Sequence, residues 1–409
     1  MTPLRLPLGK RRKIVVAKPL LANTLRVDKS TRESVTMRIG VPKEIKVHEY
    51  RVGLTPASVR EVVTHGHEVM VETGAAERMG VSDDDYRKAG AKIAANAAEV
   101  FARAELIVKV KEPQAKEREL LREGQTIFAY LHLAPDPDQA KALMRSGVTA
   151  IAYETVTSPH GGLPLLSPMS EVAGRMAIQA GAHCLEMEQG GRGMLLGGAA
   201  GVAPANVVVI GGGVAGLNAV RMSIGLEALV TCIDINIERL YALDQRFGAS
   251  LNTIFSTRQA IEDYVLAADL VIGTVLVPGA AAPKLISEEL VKSMKRGSVI
   301  VDVSIDQGGC AATSRPTTHA QPSYVKHGVV HYCVTNMPGA VARTSTFALN
   351  NATLPFVLAL AGKGIVGALR SDPHLLAGLN VYAGQITHAA VAAALGIKYV
   401  EPARAIGGV

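Results

Sequence analysis

Cysteine is scarce in this chain of 409 residues, which contains four, and no two of them form a C-x-x-C pair. The sequence therefore indicates neither a zinc site nor the disulfide framework of a small secreted protein. His319, His327 and His331 lack paired spacing and a carboxylate partner, so we predict no metal. Because widely spaced cysteines fit a reducing cytosol, we expect a cytoplasmic protein. The cysteines are Cys184, Cys232, Cys310 and Cys333.

Net charge is absent from the body of the chain. Residues 1–36 hold nine basic and two acidic residues, and their balance of +7 equals that of the whole chain. Residues 37–409 therefore hold 34 basic and 34 acidic residues. This balance leaves no excess of basic residues to bind a polyanion, which argues against a nucleic-acid partner. Three interpretations of residues 1–36 stay open: a targeting peptide, a basic tail, or translated sequence upstream of the true start. We favour a disordered extension or a misplaced start, because a compact pattern begins abruptly at Met37.

No charged residue occurs between Arg192 and Arg221, a length that could suggest a membrane span. Eight glycines, Pro204 and Asn206 interrupt this stretch. It is better explained as a loop, a buried strand, a turn and a helix start. We therefore predict no transmembrane segment and no membrane partner.

Strand and helix patterns alternate from Met37 onward, which predicts an α/β fold. In the first half, strands are predicted at RIGVP, EVMVE, LIVKVKEP, TIFAYLHL and VTAIAYET, with helices at 56–65 and 83–89. In the second half, strands are predicted at VVVI, LVTCID, DLVIGTVL, SVIVDVSI and VVHYCVT, with helices after Ile237 and Ser287. We expect two α/β domains, the second a Rossmann dinucleotide-binding domain inserted in a discontinuous substrate domain.

Two long helical segments mark the predicted domain boundaries. The first has Ser170 as a plausible N-cap and the second begins near Ser345, and each is long enough to connect two domains. A helix-rich tail follows the second segment and is expected to pack on the first domain. The predicted ranges are 1–36 for the extension, 37–168 and 343–409 for the substrate domain, and 169–342 for the NAD-binding domain.

A glycine turn follows the strand VVVI and precedes a helix start, which is the context that a Rossmann fingerprint requires. Gly211 is expected to permit the tight turn, and Gly213 to let the backbone approach the pyrophosphate. Gly216 is expected to let the helix pack closely against the strand. The helix N-terminus would then face the phosphates. Strand, turn and helix together predict a dinucleotide site.

Asp234 ends the next strand, 18 residues after Gly216. An acid at about 20 residues binds the ribose hydroxyls of NAD, and its charge should repel the 2′-phosphate of NADP. We therefore predict NAD as the cofactor, although Asn236 and Arg239 lie close in sequence. Further cofactor contacts are predicted at Ser170, Val214, Ala215 and Asn336.

Four residues could handle a small amino or hydroxy acid, since that chemistry needs a cationic clamp and a proton acceptor. Arg51 precedes an apparent helix start, and Lys111, which shares a strand face with Lys109, lies near the end of its predicted strand. His132 ends TIFAYLHL, and Asp306 follows VIVDVSI. Each alone has a structural explanation: a cap partner, a solvated strand end, a loop histidine or a turn former. Their common position at strand ends or helix starts favours a shared site.

The chain from Met37 resembles the family of bacterial L-alanine dehydrogenases. The matching blocks are GVPKEIKVHEYRVGLTP, KVKEP, YLHLA, PLLSPMSEVAGRMA, GGRG, GGGVAG, DINIERL, VLVPGAAAPKLI, VDVSIDQGGCAATSRPTTH and CVTNMPGAVARTSTFALNNATLP. The resemblance implies NAD-dependent reversible oxidative deamination of L-alanine to pyruvate and ammonium by a homohexamer. It implies Arg51 and Lys111 as the carboxylate clamp, and His132 and Asp306 as catalytic residues.

Two alternatives stay open. The related proton-translocating transhydrogenase subunit shares the fold and the KVKEP block, but it typically lacks the YLHLA histidine and the IDQGG aspartate. Both are present here, as His132 and Asp306. The second alternative is a noncatalytic NAD-binding module in which the clamp residues are structural.

Overall fold

The computed structural model describes residues 36–275 and 282–407. Nearly all of the predicted basic extension, residues 1–35, lies outside the described residues, as does part of the VLVPGAAAPKLI block at 276–281. The described strands, in chain order, are β1 (Arg38–Val41), β2 (Glu68–Glu72), β3 (Lys92–Ala94), β4 (Leu106–Val108), β5 (Thr126–Ala129), β6 (Thr149–Ala152), β7 (Asn206–Ile210), β8 (Leu229–Asp234), β9 (Asn252–Phe255), β10 (Leu270–Gly273), β11 (Val299–Asp302), β12 (Ser323–Lys326), β13 (Val329–Tyr332), β14 (Leu379–Tyr382) and β15 (Gln385–Ile386).

Helices alternate with these strands, as a doubly wound fold requires. In chain order they are α1 (Pro56–Thr64), α2 (Asp83–Lys88), α3 (Ala97–Arg103), α4 (Ala115–Arg118), α5 (Pro137–Ser146), α6 (Ser167–Cys184), α7 (Val214–Gly225), α8 (Ile237–Phe247), α9 (Arg258–Ala267), α10 (Glu288–Ser293), α11 (Ala342–Lys363), α12 (Ile365–Ser371), α13 (Pro373–Leu376), α14 (Ala389–Leu395) and α15 (Pro402–Ala405).

Both sheets have the same parallel core. The first has the order β3-β2-β1-β4-β5-β6-β14-β15, and the second β9-β8-β7-β10-β11-β13-β12. Strands β14, β15 and β12 pair antiparallel, and all other pairs are parallel. Strand order reverses beside β1 in the first sheet and beside β7 in the second. Ligands of open α/β sheets bind at such switch points, beyond the carboxyl ends of the strands.

The central strands are buried on both faces, which explains their continuous apolar sequences. Strands β5, β6, β10 and β11 are buried at every residue. Two apolar clusters cover the faces of the first sheet and two cover those of the second. The predicted α/β class with two domains is therefore confirmed.

Several local predictions differ from the structure. Helix α6 begins at Ser167, so Ser170 lies inside its first turns and is not the N-cap. The reason is Pro168, whose fixed φ suits the first helical turn and starts the helix earlier. Strand β4 ends at Val108, so Lys109 and Lys111 lie beyond the strand and not on one face of it.

Five short strands were not predicted. Strands β3, β9, β12 and β15 lie at the sheet edges, and β14 joins the first sheet from a tail that the sequence indicated as helix-rich. Helices α6 and α11 run across the predicted boundaries at 168/169 and 342/343, and the domain ranges stay a prediction. No single helix of the described chain is long and apolar enough to span a membrane, although the bent pair 337–363 and 365–371 together meets that criterion.

Candidate active site

Arg51 lies in the loop between β1 and α1, at the switch point of the first sheet. Its guanidinium is buried and donates to both carboxylate oxygens of Glu49, at 2.7 and 2.6 Å. It also donates to Oδ1 of Asn336 at 2.7 Å and contacts Sδ of Met169 at 3.0 Å. Burial would raise the pKa of Glu49, but the hydrogen bonds and charge of Arg51 outweigh burial and lower that pKa to about 2. The guanidinium is thus held rigidly by a bidentate ion pair.

Lys111 lies in the loop after β4, on the other side of the same switch point. Burial lowers the pKa of Lys111, and the nearby charge of Arg51 lowers it further. Its backbone N–H donates to Glu44 at 3.3 Å, as does that of Val110 at 2.7 Å. The loop therefore presents a second cation close to Arg51.

Lys109, two residues earlier, has a different environment. Its side chain is completely buried, and its ammonium lies 3.0 Å from Glu44 and 2.6 Å from Glu117. Burial would lower the pKa of Lys109, but these two carboxylates raise it. Lys109 is therefore a buried structural cation that anchors the loop, while Lys111 is the one available to a ligand.

His132 follows β5 in a left-handed conformation, with φ at +47°. The carboxylate of Glu154, which follows the neighbouring strand β6, accepts from the His132 N–H at 2.6 Å and lies 3.8 Å from Nδ1. The imidazole stacks on Tyr130, with ring centroids 5.9 Å apart and an interplanar angle of 5°. The side chain of His132 is 46% exposed, so the ring stays accessible.

Asp306 lies in a short 3-10 turn after β11, on the second sheet. Its side chain keeps accessible surface, but the surrounding protein is close enough to desolvate it. Burial raises the pKa of Asp306, and Lys111, His132 and Lys46 oppose that shift electrostatically. All three belong to loops of the first sheet, so Asp306 lies close enough to those loops to interact electrostatically with them.

The glycine turn after β7 shows the three backbone features expected of it. Gly211 has φ at +99°, which only glycine adopts readily. A Cβ at Gly216 would lie 1.8 Å from the carbonyl oxygen of Gly211, whereas a Cβ at Gly213 would meet no atom within 4 Å. The turn therefore leaves open space at Gly213, at the N-terminus of α7, where a phosphate could bind.

Asp234 ends β8 beside this turn. Its carboxylate accepts from the N–H of Gly212 at 2.5 Å and from that of Asn236 at 2.7 Å. The two contacts fix the carboxylate at the carboxyl end of the strand, where the ribose-binding acid of a Rossmann site lies. Asn236 caps α8, its side chain accepting from the N–H of Arg239 at 3.1 Å.

The remaining predicted cofactor residues fall into two groups. Val214 and Ala215 form the first turn of α7, where Gly174 of α6 packs so closely that a Cβ there would lie 2.0 Å from the Ala215 carbonyl oxygen. Ser170 lies on the same helix α6, one turn earlier. Asn336, after β13, has its side-chain amide on Arg51 and Glu49, at 2.7 and 3.1 Å. It thereby connects the second sheet to the cation of the first.

Sequence reasoning missed the carboxylates that support the site. Glu44, Glu49 and Glu154 each hold a residue of the predicted set, by hydrogen bonds to its side chain or backbone. Their position in the sequence could have indicated them, because they follow the strands β1 and β6. Loops that follow parallel strands begin at the same edge of the sheet. Within the described residues, no group of three or more His, Cys, Asp or Glu side chains is arranged to hold a metal ion.

Comparisons with known proteins agree with this geometry. The family model "Alanine dehydrogenase/PNT, N-terminal domain" matches residues 40–173, and "Alanine dehydrogenase/PNT, C-terminal domain" matches residues 177–389. An alanine dehydrogenase from Halomonas elongata is 61% identical over 371 residues, which cover 91% of this chain and all of that protein.

Two solved structures extend the comparison. An L-alanine dehydrogenase has a TM-score of 0.86 at 52% identity, and the match covers 88% of this chain and 99% of that one. A transhydrogenase from Sinorhizobium meliloti has a TM-score of 0.75 at 26% identity, covering 86% of this chain and all of that one. The site is therefore built on a fold that two kinds of enzyme share.

Proposed function

This chain belongs to the alanine dehydrogenase/PNT family of oxidoreductases, and on that premise we propose that it catalyses the NAD-dependent, reversible oxidative deamination of L-alanine to pyruvate and ammonium. The observation that supports the proposal most strongly is the placement of Asp306. This carboxylate, on the second sheet, interacts with Lys111 and His132 of the first sheet. A small substrate between them would meet cations from one side and a proton acceptor from the other.

The residues present fit a dinucleotide. Open space at Gly213, the N-terminus of α7 and the carboxylate of Asp234 supply the places for pyrophosphate and ribose. When bound, NAD accepts the hydride that leaves Cα of alanine. The start of α7 has Val214, Ala215 and Ser170 around it, and these residues would contribute to the coenzyme site. Asn336, which accepts a hydrogen bond from Arg51, would lie where the coenzyme site meets the substrate site.

The protein side chains would hold the substrate and move its protons. Arg51 and Lys111 would bind the carboxylate. Burial lowers the pKa of Lys111, and repulsion by Arg51 lowers it further. A carboxylate between them relieves that repulsion. His132 and Asp306 would take one proton from the ammonium group of alanine and one from the water that attacks the imine carbon. They would return one proton to the nitrogen as the C–N bond breaks and the hydroxyl becomes the pyruvate carbonyl, so that pyruvate and ammonium form with the net release of one proton.

The first experiment mixes the purified protein with NAD and L-alanine at alkaline pH and follows absorbance at 340 nm. We expect NADH to accumulate, and pyruvate with ammonium to reverse the reaction. Asp306→Asn and His132→Ala should each lower turnover by about 100-fold or more while NADH binding is spared, because general acid–base groups contribute about 10² to 10⁴. Near-normal turnover in either variant would remove that residue from the mechanism.

Cofactor choice gives a second test. The carboxylate of Asp234 should repel the 2′-phosphate of NADP. We expect negligible alanine oxidation with NADP, and equal use of NAD and NADP would contradict this role of Asp234.

The likeness to a transhydrogenase keeps a second candidate function, an NAD(H)-binding subunit of that kind or a noncatalytic module. It predicts NADH binding without alanine-dependent reduction of NAD.

A homohexamer and a cytoplasmic location complete the proposal. Both rest on the family resemblance, and the location rests also on four free cysteines. Light scattering of the purified protein measures the assembly.

A further inference from the structure

The loop that carries Asp306, residues 303–311, lies between β11 and the segment that follows it. We name it the Asp306 loop. It contains Gly308 and Gly309, both in the left-handed region with φ at +90° and +80°. Two consecutive glycines give a backbone much conformational freedom, so contacts from outside the loop add to its own backbone hydrogen bonds in defining where Asp306 lies.

One set of contacts comes from Asp302, at the base of the loop. Its buried carboxylate accepts from the N–H of Ser304 at 3.1 Å, of Cys310 at 2.8 Å and of Ala311 at 3.3 Å. It also accepts from the hydroxyl of Ser314 at 2.6 Å. One anion thus holds the amide groups at both ends of the loop.

The carbonyl groups of the loop meet a cation, Lys284. Its ammonium donates to the carbonyl oxygen of Gly308, to that of Gly309 at 2.9 Å and to that of Ala311 at 3.2 Å. Three acceptors use the three donors of an ammonium group completely. Such charge-assisted bonds are stronger than bonds between neutral groups.

The backbone beside Lys284 runs along the same loop. The N–H of Ala282 donates to Gln307 at 2.9 Å, and that of Leu285 donates to Cys310 at 2.8 Å. Lys284 therefore reaches the Asp306 loop from a segment that is already attached to it, which keeps its flexible side chain in place.

We propose that Lys284 is a positioning residue that holds the Asp306 loop, and with it the Asp306 carboxylate, in the geometry that proton transfer requires. The inference rests on the proposed function, in which Asp306 moves protons. Lys284 acts through the shape of the loop, because the charges that act on Asp306 directly are those of Lys111, His132 and Lys46. A misplacement of about 1 Å at such a site can cost about 100-fold in rate.

The test compares Lys284→Met, which keeps the apolar stem and removes the ammonium, with Lys284→Arg, which keeps the charge. We expect Lys284→Met to lower kcat by about 5- to 50-fold with KM for pyruvate and NADH affinity within about 2-fold of wild type. Lys284→Arg should recover most of the loss. The matched control is Lys292→Met, an exposed lysine of α10, which should leave kcat unchanged.

Two further measurements make the inference independent of simple destabilisation. In an Asp306→Asn background, Lys284→Met should cost less than about 2-fold, because the carboxylate that it positions is gone. Hydrogen exchange of peptides covering 303–311 should speed up in Lys284→Met and not in Lys292→Met.

An unchanged kcat, an equal loss in both backgrounds, or unchanged exchange in the loop would each overturn the positioning role. Wild-type protein that reduces NAD with alanine while Lys284→Met behaves like wild type would refute this inference alone. Wild-type protein without alanine activity would refute the proposed function, and the exchange measurement would still decide whether Lys284 holds the loop.

Discussion

The two sheets have the same parallel strand order and the same kind of switch point, yet their carboxyl edges differ in chemistry. Beside β1, the first sheet presents charged side chains, with Arg51 on Glu49 and Lys109 between Glu44 and Glu117. Beside β7, the second sheet presents backbone, with Gly211 and Gly213 at the start of α7. On the proposed function, one topology would therefore serve two ways of binding an anion.

The difference would follow from what each edge is proposed to bind. A small carboxylate offers two oxygens, and a guanidinium matches it in a defined orientation only if the guanidinium is itself held. Holding it requires Glu49, which forms a buried ion pair with the guanidinium. A pyrophosphate is longer and binds where the backbone can approach it closely. Glycine residues permit that approach, and a helix N-terminus supplies N–H donors, so no charged side chain is needed.

The largest expected effect comes from a substitution at the carboxyl edge of the first sheet, which we call the charged edge. Arg51→Met should lower kcat/KM for pyruvate by about 1,000-fold or more, because one of the two cations proposed to bind the substrate carboxylate is lost. It should also lower the free energy of unfolding by about 3–5 kcal/mol, since Glu49 is left buried without its partner. NADH binding, which depends on the other edge, should stay within about 2-fold. Steady-state kinetics, urea unfolding and NADH fluorescence measure the three quantities.

The control for this variant separates chemistry from stability. The double variant Glu49→Gln/Arg51→Met removes both buried charges and should recover most of the lost stability, because no unpaired ion remains. It should recover no activity. Activity near wild type in the double variant would mean that Arg51 has a structural role only.

The second prediction concerns the carboxyl edge of the second sheet, which we call the glycine edge. It assigns different functions to Gly216 and Gly213. Gly216→Ala would place a Cβ 1.8 Å from a carbonyl oxygen, so it should lower the free energy of unfolding by about 1–3 kcal/mol and NADH affinity by about 100-fold. Gly213→Ala meets no neighbouring atom, so the free protein should keep its stability within about 0.5 kcal/mol. Its NADH affinity should still fall about 10-fold, because the methyl group occupies the space left for the coenzyme.

Calorimetry of the two variants with and without NADH makes this measurement. Equal destabilisation of the free protein by both substitutions would contradict the assignment of packing to Gly216 and ligand approach to Gly213. Unchanged coenzyme affinity in Gly213→Ala would mean that the open space beside it is not part of the site.

The glycine edge was easier to predict from sequence than the charged edge. A local motif of six residues between a strand and a helix carries the glycine turn, and Asp234 follows at a set distance. The charged edge is assembled from loops far apart in the chain: Glu49 meets Asn336, and Lys109 meets Glu44. Such pairings depend on strand order and register, which single-sequence patterns do not contain.

The misses in the fold have the same origin. Edge strands β3, β9, β12 and β15 are short and partly exposed, so they lack the continuous apolar pattern that identified the central strands. Ser170 is a good cap residue by type, but Pro168 sets the helix start. Lys109 and Lys111 look equivalent by spacing, and only the fold shows that one is buried in an ion-pair cluster while the other lies beside Arg51.

The last prediction concerns pH, and it sharpens the contrast between titrating side chains and a backbone that does not titrate. The pKa of Glu49 is lowered from its usual 4.5 to about 2. A lowered carboxyl pKa stabilises the folded state fully above the unfolded value, and the stabilisation is lost as pH falls through the folded value. The full contribution is about 3 kcal/mol.

Urea unfolding of wild type and Glu49→Gln between pH 6 and pH 2 measures this contribution of Glu49 to the free energy of unfolding. The wild type should lose stability over this range more steeply than the variant, and the two curves should converge toward pH 2, where the Glu49 carboxylate becomes protonated. The matched control is Glu68→Gln, which removes the carboxylate of an exposed ion pair with Lys92 and should leave the wild-type slope nearly intact. Parallel curves for wild type and Glu49→Gln would contradict the lowered pKa of Glu49, because the slope of stability against pH reports the difference between its folded and unfolded pKa values.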